Sequence, residues 1–180
     1  MASFEAASSS QVAWAVLDER ASSRLTQIIT VTYRPLNARF LDVYSGMVKM
    51  SVVYEGQLHC NLVHEPSHSE IATDAPKDNQ GRGEKFSPTD LVGAALASCV
   101  LTTIAIVAER DGVSVKGARA EVQKEMNPKP RRIRSLHTKI TLPAAVPLEY
   151  RQKLEQVALH CPVHASLHPD VDAGLTFEYV

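Results

Sequence analysis

Three cysteines among 180 residues are too few, and odd in number, to form a disulfide framework. Charge of one sign is also missing, since 19 Lys and Arg stand against 20 Asp and Glu, for a net charge of −1. A nucleic-acid surface requires a clustered basic face, and the one local cluster is Arg131, Arg132 and Arg134. It follows Pro128 and Pro130, so it reads as a solvated turn, and no nucleic-acid partner is expected. No phosphate-cradling glycine motif, Gly-x-Ser-x-Gly or His-Glu-x-x-His occurs, which leaves those enzyme classes without support. Residues 1–14 lack a basic stretch followed by an apolar core, and so do not read as a signal peptide. Unpaired cysteines without such a leader give the expectation of a reducing, cytoplasmic setting. The only long apolar run, Leu91 to Ala108, contains Gly93, Ser98, Thr102 and Thr103 and has no Trp or Tyr at its ends. It reads as a helix buried in a soluble core, with no membrane partner.

With 44% hydrophobic and 22% charged residues, the composition is that of a soluble globular protein. A core can form without a disulfide or metal staple. Residues 1–45 are rich in Ala and Ser, with one strand-like stretch from Gln27 to Tyr33, and read as an N-terminal extension. Residues 46–180 read as the folded domain. Met47 to Tyr54 alternates with strand periodicity, Glu55-Gly56 turns, and Leu58 to His64 returns as a hairpin. Glu70 to Thr73 gives a short third strand, and Ala75 to Lys85 a polar loop.

Ser87-Pro88-Thr89-Asp90 is the clearest local signal. Ser87 fits an N-cap, Pro88 the first helical position, and Asp90 the carboxylate that reaches back to the cap amide. The helix should run to about Arg110 and stop at Gly112. Its centre is apolar on every face, so neither side is expected to meet water. Val113 to Met126 reads as a strand with a bulge at Gly117, and Ile133 to Leu142 as its partner. A second helix opens at Pro147, with Tyr150, Leu154, Val157, Ala158 and Cys161 along one stripe. Val163 to Leu167 is a short helical segment, and Leu175, Phe177 and Tyr179 lie on a last strand. The order β-β-β-α-β-β-α-α-β predicts an α+β fold.

Cys99 lies mid-helix, where buried packing is one reading and chemistry the other. That position lacks the helix dipole that lowers a thiol pKa, so any reactivity needs charge brought from elsewhere. Cys161 precedes Pro162 and so caps a new helical turn, beside free amides that favour thiolate, with His160 and His164 close by. An inert cysteine on an apolar stripe is the alternative. If the two sulfurs meet, they can cycle through sulfenic acid and disulfide. His160, Cys161, His164 and His168, and separately His59, Cys60, His64 and His68, include metal-ligand types. Their spacing is poor, and no metal is expected.

Phe86-Ser87-Pro88-Thr89-Asp90-Leu91, followed by Ala94-Ala95-Leu96-Ala97-Ser98-Cys99, resembles the helix opening and first redox cysteine of the OsmC/Ohr family. His160-Cys161-Pro162-Val163-His164, with Ser166-Leu167, resembles its second cysteine segment. The likeness covers residues 46–180 and implies an OsmC-like α+β fold, with antiparallel sheets wrapped around long central helices in an intertwined homodimer. It implies that Cys99 reacts with organic hydroperoxides, that Cys161 resolves the product, and that a dithiol or lipoyl-bearing protein recycles the pair without a cofactor. Asp90, Arg82 and His164 are the supporting candidates. Thr89 stands where well-characterised members carry glutamate, and Asp90 resembles branches with the acid one place later. No arginine lies between Gly46 and Gly81 to match the family's activating cation, which leaves Arg82, Lys85 or Arg39 as substitutes. The family begins near Met47, so translation from Met47 or Met50 is a second expectation for residues 1–45. A non-catalytic oxidant sensor or apolar-ligand binder is the alternative function.

Overall fold

The computed structural model describes residues 47–180. The extension read at residues 1–45, including Arg39 and the stretch from Gln27 to Tyr33, lies outside the described residues. The alternating segments pair as expected into a three-stranded antiparallel sheet of β1 (Met50–Gly56), β2 (His59–His64) and β3 (Ser69–Asp74). The first turn falls later than Glu55-Gly56. Gly56, Gln57 and Leu58 all have positive φ, and the register slips between Tyr54 and Gly56. Successive strand residues face opposite sides, yet Val52 and Val53 are 60% and 59% exposed. Among the described residues, then, neither face of this sheet at β1 is covered.

The second sheet contains β4 (Arg119–Pro128), β5 (Arg131–Leu142) and β6 (Leu175–Tyr179), in that order. β4 and β5 are antiparallel, but β6 runs parallel to β5, which corrects the expectation of purely antiparallel sheets. A parallel neighbour needs a long crossover. Residues 143–174 supply it with α2 (Leu148–Ala158) and α3 (Pro162–Ser166). β4 begins at Arg119, not at Val113. Ala118 N–H donates to Val115 C=O at 3.0 Å, closing a turn in which Gly117 takes a φ of +91°. The strand's irregularity lies instead at Glu125 and Met126.

Between the sheets in sequence runs α1 (Pro88–Arg110). Ser87 Oγ accepts from Asp90 N at 3.2 Å, and Asp90 Oδ2 accepts from Ser87 N at 2.7 Å, a reciprocal cap that satisfies two otherwise free amides. At the far end Val113 N–H donates to Ala108 C=O and Gly112 N–H to Glu109 C=O, with Gly112 left-handed. Gly93, Leu96, Val100, Ile104 and Ala108 form the buried stripe. Full burial of Leu96, Val100 and Ile104 stabilises by about 1.5–3 kcal/mol each. Gly93 permits this packing, because a Cβ there would meet Val122 at 3.3 Å and Leu136 at 3.4 Å.

The stripe packs on Leu136 and Ile140 of β5 and shares one core with Leu154 and Ala158 of α2. The remainder of α1 does not match the expectation of burial all round. Ala94, Ala95, Ser98 and Thr102 are exposed, and Ile106 is 62% exposed. The helix has the length and composition of a membrane span, and among the described residues part of its apolar surface is uncovered. Among the described residues α1, with 23 residues, is the one long helix, and α2 has 11.

Candidate active site

Cys99 projects from α1 and is half-buried against the core. Cys161 is fully buried. It lies outside α2, which ends at Ala158, so it is not the last residue of that helix's apolar stripe. It is the N-cap of α3, with Pro162 at the first helical position. Proline's fixed φ suits that position, and its missing N–H is one the helix could not have used. The cap geometry turns the sulfur onto a free amide, and His164 N–H donates to Cys161 Sγ at 3.3 Å.

These amides do not make Cys161 a thiolate. Burial is the largest influence and pushes its thiol above the ordinary value. The His164 and Val163 amides pull the other way, while contact with the Cys99 thiol adds to the upward push. This corrects the expectation that the cap would favour ionisation: the amides are present, but desolvation outweighs them. The same contact makes the two cysteines neighbours. α3 packs against α1, which brings the partly buried Cys99 thiol within interaction range of the buried Cys161 thiol.

The supporting candidates lie elsewhere. The His164 ring donates from Nε2 to Ala173 C=O at 3.2 Å, so its backbone amide, not its imidazole, meets the Cys161 sulfur. Asp90 accepts from Lys124 Nζ at 2.5 Å, and Lys124 also donates to Thr89 Oγ1 at 2.8 Å. Burial opposes ionisation of Asp90, but the hydrogen bonds from Lys124 and Ser87 prevail and hold its carboxyl below the usual range. Asp90 and Cys99 are nine residues apart, about two and a half turns and about 13.5 Å along the axis, and so lie on opposite faces of the helix. Within one chain Asp90 therefore does not act on Cys99 directly.

Arg82 is exposed and makes no ion pair among the described residues. Lys85 lines an open groove of about 760 Å³ beside the first turns of α1, with Phe86, Ala94, Ala97, Val122 and Lys124. Lys124 was not among the sequence candidates. Its signal was nonetheless there: it continues the inward series of Ala120 and Val122 on β4, where a lysine needs an acidic partner. His59 and Asp74, facing residues of β2 and β3, also pair, with the aspartate buried and the histidine partly so, a pairing not expected from the sequence. Among the described residues no three His, Cys, Asp or Glu side chains are grouped to hold a metal.

A helix carrying one cysteine, a Cys-Pro-opened helical turn carrying a second against it, and two three-stranded sheets define a dithiol protein of the two-sheet α+β class. The chain belongs to the OsmC-like protein family, whose model matches residues 81–176. It is similar to a protein of Psychrobacter arcticus 273-4 named for osmotic stress induction and a detoxification response. The two share 42% identity at a TM-score of 0.70, over 74% of this chain and 98% of that one. It also resembles the organic hydroperoxide resistance protein OsmC of Legionella pneumophila, with 17% identity, a TM-score of 0.57, and 74% and 98% of the two chains covered. A third similar structure is the organic hydroperoxide resistance protein OhrB of Bacillus subtilis, with 16% identity, a TM-score of 0.54, and 73% and 98% covered. No curated protein matches the chain.

Proposed function

We propose that this protein is a thiol-dependent peroxidase that reduces organic hydroperoxides in the cytoplasm, with Cys99 as the attacking sulfur and Cys161 as the resolving one. The observation that carries the reading is the closeness of a half-buried Cys99 to a buried Cys161 whose thiol burial pushes up. The Cys99 thiolate attacks the distal peroxide oxygen. The O–O bond breaks, the alkoxide takes up a proton and leaves as alcohol, and Cys99 becomes sulfenic acid. The Cys161 sulfur then displaces the hydroxyl group, releasing water and forming a disulfide. An external dithiol, a small molecule or a lipoyl-bearing protein, is oxidised in turn and restores both thiols by exchange.

Cys161 suits the second role, because its raised pKa keeps it a thiol until a sulfenic acid appears beside it. Apolar neighbours on the same helix, Ala95, Leu96 and Val100, favour alkyl hydroperoxides over hydrogen peroxide. The working unit is a homodimer. This is supported by the exposed apolar residues Met50, Val52, Val53, Tyr54, Ile71 and Ile106, since a soluble monomer rarely leaves so many uncovered.

Steady-state reduction of cumene hydroperoxide with a dithiol tests the reading. The wild type should turn over, Cys99→Ser should be inactive, and Cys161→Ser should stop after one equivalent. Wild-type protein that consumes one equivalent and does not turn over with any dithiol would favour an oxidant sensor. That second reading is supported by Lys124, whose charge is committed to Asp90 and Thr89 and not to a sulfur.

A further inference from the structure

α3 is five residues long and none of them is buried, yet Cys161, which caps it, is fully buried. The cap is the sulfur itself, since His164 N–H donates to Cys161 Sγ at 3.3 Å. Behind it, Ala165 N–H donates to Cys161 C=O at 3.0 Å and Leu167 N–H to His164 C=O at 3.3 Å. The His164 ring donates from Nε2 to Ala173 C=O at 3.2 Å, which ties the segment to the entry of β6. A helix this short closes too few hydrogen bonds to persist alone. It depends on these ties and on its packing against α1.

The sulfur that caps α3 is also the one within interaction range of Cys99 on α1. It cannot hold both positions at once. A disulfide draws its two sulfurs to about 2.05 Å, with a dihedral near about 90°. That displacement carries Cys161 Sγ towards α1 and away from the His164 amide, which loses its acceptor. We propose that Cys161 caps α3 only in the dithiol state, so that α3 is a redox-operated cover, closed over the reduced sulfur and loosened by the disulfide. Loosening opens a path for an external dithiol to a sulfur that the folded segment otherwise seals. Reduction restores the thiol, the cap and the closed cover. The device rests on the proposed function only in pairing Cys99 with Cys161, and does not require that a peroxide be the oxidant.

The test is residue-resolved hydrogen exchange in the full-length protein, with diamide as oxidant. The diamide N=N bond takes up the two electrons and two protons that the thiols give up as the S–S bond forms. In reduced wild type the His164 and Ala165 amides should exchange slowly. After diamide they should exchange at least about tenfold faster, the effect of one lost hydrogen bond, and dithiothreitol should slow them again. The Val100 and Ile104 amides of α1 should not change, and acceleration there as well would contradict a local cover. Cys161→Ala should exchange fast without any oxidant. Cys161→Ser, whose hydroxyl oxygen is a good N-cap, should stay slow with or without diamide, as should Cys99→Ser. Slow exchange in Cys161→Ala would show that the sulfur does not hold α3. Should that variant fail to fold, oxidised wild type against Cys161→Ser decides the matter. A Cys99–Cys161 disulfide confirmed by peptide mass, with unchanged exchange, overturns the cover and leaves the dithiol pairing standing. If diamide forms no such disulfide, the pairing fails and the cover with it. Hydroperoxide turnover is scored separately, so a cover that opens with diamide in a protein without turnover sinks the peroxidase reading alone.

Discussion

Asp90 and Cys99 lie on opposite faces of α1, and the partner of Asp90 is Lys124 of β4. The acid at the helix start therefore caps the helix and fixes it to the second sheet. Any charge that activates Cys99 must come from another element or from a second chain.

Lys124→Met should lower stability at pH 7 by about 1 kcal/mol, a modest figure because the Asp90 side chain is 39% exposed. The Asp90 carboxyl is held below its ordinary range in the folded protein, so its contribution is complete above the unfolded pKa. It is lost as pH falls through the folded one. Urea unfolding of both proteins should therefore show a gap at pH 7 that narrows towards pH 3.

Cys161 should show the opposite sign. Its folded pKa is raised, so in alkali the unfolded chain releases the proton while the folded chain retains it. Stability should fall as pH rises above about 9, near the ordinary thiol range. Cys161→Val should lack that part of the decline, as measured by unfolding of both proteins between pH 8 and pH 10.5.

The exposed stripe of α1 predicts a self-association surface. Ile106→Glu places a charge on its most C-terminal apolar residue and should shift the protein from dimer to monomer in sedimentation velocity. A wild-type protein that sediments as a monomer would remove the dimer from the proposed function.

The parts of the fold that were legible in the sequence are those set by local chemistry. Ser87, Pro88 and Asp90 specify a helix start in four residues, and Gly112 its end, and both ends form as read. Cys161-Pro162 likewise marks a helix cap. What depends on distant packing was not legible. The parallel pairing of β6 depends on where a 143–174 crossover delivers the chain. The raised pKa of Cys161 depends on how much of the core closes over it, which no neighbour in sequence reveals. Asp74 falls between the strand and the loop read from sequence, and its pairing with His59 forms only once β2 and β3 align the two residues.

The pairing of Cys99 with Cys161 is tested most directly by peptide mass mapping after one equivalent of cumene hydroperoxide under non-reducing conditions. The account predicts a single Cys99–Cys161 disulfide, with Cys60 still a free thiol. Oxidation that leaves Cys161 reduced, or that joins Cys99 to Cys60, would contradict it.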